Sequence, residues 1–282
     1  MSARPENAVP RAQHSTGPAE WLARRGEAVV LGAAAIVVAL SAAYTVLGAG
    51  MEMTAVEMTR MAGPIGEPMQ MGPGTAWTAG YAGLIFLMWW LMMIAMMTPG
   101  AAPVLLLFTA LKKAGSSPAR APLLSLLFLS GYLLAWAVFS LAATAVQWGL
   151  ETAGLSNGPM MSLSSRALAG ALLLAAGAYQ FTPCKHACLS HCRTPVQFLT
   201  AHHRTGMAGA VLMGAHHGAY CLGCCWALML LLFAGGVMNL YWIAGIALYV
   251  LAEKHLARAR LFAPAAGLLL MLAGASLMAT AF

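Results

Sequence analysis

Apolar residues occur along this chain in long, uninterrupted runs. Seven runs, at about 28–50, 77–97, 122–148, 165–182, 208–235, 238–252 and 262–281, together contain one charged side chain, Arg166. A helix of about 20 apolar residues is long enough to cross the hydrocarbon core of a bilayer. The pattern therefore predicts an all-α, polytopic bundle of about seven transmembrane helices.

Composition and charge extend this prediction to topology. The chain is 61% hydrophobic and only 8% charged, which excludes an ordinary soluble domain. Of its 15 Lys and Arg residues, only Arg60 and Arg166 fall on the side opposite the N-terminus. Lys and Arg accumulate on the cytoplasmic side of membrane proteins, so the net charge of +7 has a topological explanation and predicts no nucleic-acid partner. We expect a cytoplasmic N-terminus, an outer C-terminus and a multi-pass location in a bacterial inner (cytoplasmic) membrane.

The runs also divide the chain into segments. Residues 1–26 are polar and predict a disordered cytoplasmic tail, followed by a transmembrane domain over 27–282. This domain contains a Met-rich outer loop at 51–76 and a cytoplasmic Cys/His segment at 183–206. Pro99 and Pro103 predict a kink or break in the second span, because proline removes a helical hydrogen bond.

Methionines are concentrated in two places. The outer loop contains six, and thioether sulfur is a soft ligand suited to Cu(I), so the loop is a candidate for metal capture. The alternative is a loop folded back onto the protein or the lipid. In the second span a stripe of methionines at a spacing of four lies on one helical face, where ordinary packing competes with metal binding. The loop residues are Met51, Met53, Met58, Met61, Met69 and Met71, and the stripe is Met88, Met92 and Met96.

All six cysteines lie between Cys184 and Cys225, together with six of the eight histidines. Cys184, Cys188 and Cys192 repeat at a spacing of four and predict an exposed row of thiols on one helix face. The predicted topology places this row at the cytoplasmic side, where thiols stay reduced.

A second group lies inside the fifth predicted span. It consists of His216, His217, Cys221, Cys224 and Cys225. Adjacent histidines inside a membrane are costly unless they have partners. Separately, these cysteines could be small apolar residues and the histidines could bond to another helix. Their joint occurrence favours a metal or thiol-redox site, as one site or two adjacent ones.

The ligand types indicate which metal would bind. Thiolate and imidazole suit Cu(I) or Zn(II), whereas hard ions prefer oxygen ligands such as the carboxylates of Asp and Glu, which the runs do not contain. Thiols and thioethers in series favour copper, as Cu(I), over zinc.

Three sequence blocks resemble a bacterial family of predicted metal-binding integral membrane proteins, long described as a domain of unknown function. The blocks run from Met88 to Pro99, from Tyr179 to Arg193 and from Gly214 to Trp226, and the third contains the specific Ala219–Trp226 sequence AYCLGCCW. Gly235–Asn239 and Glu253-Lys254 are also similar to the family. The resemblance covers roughly 80–270 and implies a metal-binding membrane protein. The Met-rich loop lies outside it.

These features favour a membrane protein that binds Cu(I) for transport or homeostasis, rather than an enzyme. One alternative is a membrane metalloenzyme or a thiol-disulfide oxidoreductase using Cys221 and Cys224. Another is an assembly factor that delivers metal. The expected partners are the metal ion, the bilayer, and a periplasmic or cytoplasmic metal chaperone or a recipient membrane protein; a homo-oligomer is compatible with all of these.

Overall fold

The fold is a helical bundle with one short hairpin. The computed structural model describes residues 18–51, 53–67, 76–115, 118–157, 161–256 and 261–281, and within these it contains ten α-helices. They are α1 (Pro18–Leu47), α2 (Ala55–Arg60), α3 (Ala79–Ala114), α4 (Ala121–Thr152), α5 (Arg166–Tyr179), α6 (Pro183–Arg193), α7 (Pro195–Ala201), α8 (Gly206–Gly235), α9 (Leu240–His255) and α10 (Phe262–Ala279). A 3₁₀ turn at Pro118–Arg120 precedes α4, and β1 (Ser156–Asn157) pairs antiparallel with β2 (Ser162–Leu163).

Several of these helices are long and apolar enough to cross a membrane. In the part of the chain that the structure describes, α1, α3, α4, α8 and α10 meet this condition. A sixth candidate is the pair α5 and α6, which bends by 63° between the two helices. Helix α9 has 16 residues, about 24 Å at ~1.5 Å per residue, which is shorter than a typical core of about 30 Å. The protein is therefore a helical, multi-pass membrane protein with five to six candidate spans.

The structure bears on two details of the sequence prediction. Helix α1 begins at Pro18, so residues 18–26 are helical, while residues 1–17 lie outside the described residues. Helix α3 continues through Pro99 and Pro103, so the predicted break is absent there, and the kink stays a prediction. Its flanking residues Met97 and Ala101 are buried, so packing against neighbouring helices outweighs the hydrogen bonds that the prolines remove.

Helices α4 and α8 cross in close contact at the centre of the bundle. A Cβ atom at Gly214 would overlap the carbonyl oxygen of Phe128, and one at Gly131 would overlap that of Val211. Gly218 faces Ala135 in the same interface. Small residues let membrane helices approach until their backbones touch, which explains Gly214 and Gly218 of α8.

Replacing Gly214 with alanine is expected to lower the free energy of unfolding by about 1–3 kcal/mol. The new methyl group would press on backbone, which can yield only if α4 and α8 separate. Thermal unfolding of the solubilised protein measures the effect. Gly149→Ala in α4 is the matched control, because a Cβ there meets nothing within 4 Å. An equal loss of stability at both positions would contradict a tight crossing.

The end of the bundle that carries α2 is held by side-chain contacts. Thr54 and Glu57 form a reciprocal cap, and the backbone N–H of Thr54 holds the pKa of the Glu57 carboxyl below its usual range. Thr59 accepts from the backbone N–H of Leu240 at 2.9 Å, which ties α2 to the start of α9. Arg166 pairs with Glu67 at the same end. The described part of the Met-rich loop, up to Glu67, therefore lies on the bundle.

The bend between α5 and α6 turns the cysteine row towards α8. Thr182 caps α6 by accepting from the backbone N–H of Lys185 at 3.3 Å, and Pro183 occupies the first turn. Tyr179, the last residue of α5, donates to the carbonyl oxygen of Gly223 in α8. These contacts orient α6 along α8.

Candidate functional site

The centre of the site is a group of three cysteines in α8. Cys221, Cys224 and Cys225 are fully buried. The Sγ atoms of Cys224 and Cys225 each donate to the carbonyl oxygen of Cys221 at 3.0 Å. Both thiols therefore point back along α8 towards Cys221.

The cysteine row of α6 meets this group. Cys192 is buried, and its thiol interacts with those of Cys221 and Cys224. Cys188 is half-buried, and its Sγ fills the space beside Gly223, where a Cβ atom would lie only 2.6 Å from it. Cys184 is exposed, with its Sγ 3.9 Å from the Tyr179 hydroxyl. The row thus descends from solvent to the interior.

This arrangement corrects one expectation from the sequence. The row is not uniformly exposed, because α6 packs against α8 and covers Cys192. The structure brings Cys188 and Cys192 to the α8 cysteines and leaves Cys184 at the surface. All six thiols are free.

A lysine and a tyrosine from other helices complete the surroundings of Cys221. The ammonium group of Lys254, at the end of α9, lies 2.9 Å from its Sγ, and the Tyr132 hydroxyl of α4 lies 3.2 Å from it. Tyr132 also contacts the carbonyl oxygen of Met97 at 2.9 Å. Lys254 is 5% exposed, and a buried cation is costly without a negative or strongly polar partner. Here that partner is a thiol group.

The two adjacent histidines of α8 have different surroundings. His217 is buried among the rings of Phe128, Tyr132 and Phe198. In the described residues its Nδ1 has no hydrogen-bond partner, so this nitrogen is available as a ligand. His216 is exposed and lies outside the cysteine group.

The methionine stripe is part of the core. Met88, Met92 and Met96 are buried in the bundle, which satisfies the packing interpretation. Met97 is the methionine that reaches the site, with its Sδ 4.0 Å from the Sγ of Cys225. The spacing of four in the sequence excluded Met97 from the stripe, although it lies next to Met96 in the chain.

The outer methionines are less exposed than expected for a capture loop. Met58 is 1% exposed, and Met51 and Met53 pack against the core. Met61 remains exposed, whereas Met69 and Met71 lie outside the described residues. In the part of this loop that the structure describes, α2 holds Met58 against the bundle, which agrees with the alternative of a loop folded back onto the protein.

A buried ion pair adjoins the site and was not singled out from the sequence. Lys185 of α6 and Glu253 of α9 are fully buried, with the ammonium nitrogen 2.8 Å from the carboxylate. Gln180 accepts from the same ammonium group, and Tyr249 donates to the carboxylate at 3.1 Å. Glu253 precedes Lys254, so the end of α9 contacts both cysteine helices. A charged residue beside a membrane run, as at both positions, is the signal that could have identified this pair.

No ready-made coordination shell is present in the described parts of the chain. No three side chains of His, Cys, Asp or Glu there stand in metal-binding geometry. The thiols of Cys224 and Cys225 are turned to a backbone oxygen, so a metal ion would be bound after χ1 rotation of these short side chains.

Comparison with known proteins assigns the family. Residues 86–277, well over half of the chain, match the family model described as PpoB2: Copper chaperone. The chain belongs to the PpoB2 copper-chaperone family. The matched part contains every cysteine and the residues around Cys221, and it begins after the Met-rich loop. No curated protein and no solved structure matches the chain. Membership of the PpoB2 family gives the protein a copper-related role with a metal ion as its partner.

Proposed function

We propose that this protein binds Cu(I) at buried thiols inside its helical bundle and delivers the ion to a recipient protein. The observation that carries the proposal is the meeting of Cys192 with Cys221 and Cys224 in the interior. The family supports copper as the metal. Its description also favours delivery over transport across the membrane and over a thiol-disulfide or metal-dependent enzyme.

The donors suit Cu(I) in type and in charge. Thiolates are soft ligands for this ion, and the Met97 thioether and the free Nδ1 of His217 are further donors at the edge of the group. Cu(I) on two thiolates carries one net negative charge. The ammonium group of Lys254 offsets this charge, which would otherwise be costly in an apolar interior.

The cysteine row provides a route between solvent and the buried thiols. Cys184 is exposed, Cys188 is half-buried and Cys192 is buried, so an ion can pass between neighbouring sulfurs by ligand exchange. Each step replaces one soft ligand with another and requires no rehydration of the ion. The proposal gives a smaller role in copper binding to the capture loop and to the methionine stripe of Met88, Met92 and Met96. Packing against the core accounts for most of these methionines.

We further propose the seven-span topology, with a cytoplasmic N-terminus and an inner-membrane location. The distribution of Lys and Arg supports it. The contacts at the two ends of the bundle agree with it: Lys112 bonds to the carbonyl oxygen of Arg204 at one end, and Arg166 pairs with Glu67 at the other. In this topology the exposed Cys184 faces the cytoplasm, where thiols remain reduced.

Copper binding and release by the reconstituted protein test the proposal. Proteoliposomes with a chromophoric Cu(I) chelator outside or sealed inside are compared with protein-free vesicles under reducing conditions. We expect Cu(I) to bind the protein in competition with the outside chelator, and no accumulation in the lumen beyond the bound amount. Failure to bind Cu(I) would overturn the proposal. Continued accumulation in the lumen would replace delivery with transport.

A further inference from the structure

We propose that His202 binds Cu(I) together with His191 or His216, as a second site at the surface near the end of α6 that carries Cys192. Nothing in the sequence pattern grouped these residues, because they lie on different elements. His191 is near the end of α6, His202 ends α7 and His216 is in α8. The role of this site in loading the buried thiols rests on the proposed function; the binding itself does not.

The three imidazole rings lie around His202. Its ring centre is 6.3 Å from that of His191 and 5.8 Å from that of His216, and both pairs are edge-on. With a metal–nitrogen distance of about 2 Å, two imidazoles that share one ion have their ring centres about 5–6.5 Å apart. Both distances are within this range. The upper part of the range corresponds to a wide nitrogen–metal–nitrogen angle, which a two-coordinate d¹⁰ ion such as Cu(I) accepts.

Hydrogen bonds to the backbone select the metal-binding nitrogen of two of the rings. The Nδ1 of His191 lies 2.8 Å from the carbonyl oxygen of Ala187, and that of His202 lies 3.2 Å from the carbonyl oxygen of Phe198. A carbonyl oxygen can only accept, so Nδ1 carries the proton in both rings. The lone pair is therefore on Nε2, the arrangement by which outer hydrogen bonds orient histidine ligands.

Packing holds the cluster in place while leaving it accessible. The ring of Tyr220 stacks on His191 at 4.1 Å, and Phe198 stacks on His202 at 5.0 Å. His216 is exposed, and the other two histidines are half-buried. Rings fixed by aromatic neighbours need little further ordering when they bind an ion.

The position of the cluster connects it to the buried thiols. His191 directly precedes Cys192 in α6, and Phe198 lies between His202 and the buried His217, with its ring 5.1 Å from the latter. An ion held by His191 would therefore be bound to the residue that directly precedes the innermost thiol of the row in the chain. Imidazole binds Cu(I) less tightly than thiolate does, so the ion would transfer inwards.

Because no three histidines, cysteines or carboxylates in the described residues are preassembled around an ion, we expect two of the imidazoles to bind it. His202 is shared by both close pairs and is the residue whose loss should matter most.

Cu(I) titration in a background without the buried thiols tests this site. In the variant with all six cysteines replaced by serine we expect one weaker Cu(I) site, with nitrogen and no sulfur neighbours in the copper X-ray absorption spectrum. Adding His202→Gln should weaken it by about tenfold or more, since even outer-shell changes cost 10–100-fold in metal affinity. His186→Gln is the matched control, because His186 is an exposed histidine of α6 outside the cluster, and it should change nothing.

Other outcomes separate the two proposals. Sulfur around the residual copper, loss of all copper with the six thiols, or copper binding unchanged by His202→Gln would overturn the histidine site and leave the thiol site intact. Copper binding sensitive to His202→Gln but not to the cysteine changes would overturn the thiol site alone. If the background variant does not fold, the wild-type protein still decides: its weaker Cu(I) equivalent should be lost in His202→Gln, and its persistence would overturn the site.

Discussion

Replacing Cys221 and Cys224 together with serine is expected to abolish tight Cu(I) binding. Both thiols are fully buried and interact with Cys192, so the change removes the two central donors of the proposed site. A serine hydroxyl is a hard, neutral ligand that does not suit Cu(I). Changes outside the first shell already weaken metal binding 10–100-fold, so losing two ligands should weaken it by more than about 100-fold. Competition with a chromophoric Cu(I) chelator measures this loss.

Serine is close to cysteine in size, so the bundle should remain folded, and thermal unfolding checks this directly. Cys184→Ser is the matched control, because it removes an exposed thiol from the same cluster of six. We expect that variant to change Cu(I) affinity by less than about tenfold. Wild-type affinity in the double variant would place the copper ligands elsewhere in the chain.

The fold was largely predictable because membrane burial acts on long stretches of sequence. A run of about 20 apolar residues has few alternatives to a helix in a bilayer. Each of the seven runs is helical in the structure.

The bend before Pro183 and the path of α6 were not predictable. They depend on Thr182 and Tyr179 contacting particular groups, and on α6 packing against α8.

The candidate site was predictable in composition but not in geometry. The concentration of cysteines at 184–225 indicated the candidate donors, since that concentration is visible in the sequence. Met97, Tyr132 and Lys254 were missed as site residues because each comes from a different helix, and Met97 is 128 residues from Cys225. Spacing along a helix indicates which residues share a face. It does not indicate what packs against that face.

Replacing Glu253 with glutamine is expected to lower the free energy of unfolding by about 3–5 kcal/mol. The carboxylate is the buried partner of Lys185. After the change the ammonium group has only neutral partners in the described residues: the new amide, Gln180 and the face of the Tyr249 ring. An uncompensated charge in an apolar interior is relieved if α6 moves out towards water. Chemical or thermal unfolding of the solubilised protein measures the loss of stability, which should exceed that of Gly214→Ala.

The same change should also disturb the proposed copper site, because α6 carries Cys192. If α6 separates from α8, Cys192 loses its contact with Cys221 and Cys224 and becomes accessible to alkylating reagents. We expect faster alkylation of Cys192 and Cu(I) binding weakened by about tenfold or more, as for other outer-shell changes. Mass spectrometry of the alkylated protein identifies the residue that reacts.

Two controls separate this positioning role from a general loss of stability. Glu27→Gln alters the exposed pair of Glu27 with Lys113, which are 3.7 Å apart, and should cost less than about 1 kcal/mol without exposing Cys192. The reversed pair Lys185→Glu/Glu253→Lys restores opposite charges between α6 and α9. This reversed pair should recover part of the Cu(I) affinity and part of the protection of Cys192 from alkylation. A role of the ion pair in stability alone does not require either recovery. A reversed pair no better than Glu253→Gln would show that α6 is positioned by its packing on α8 and not by this ion pair.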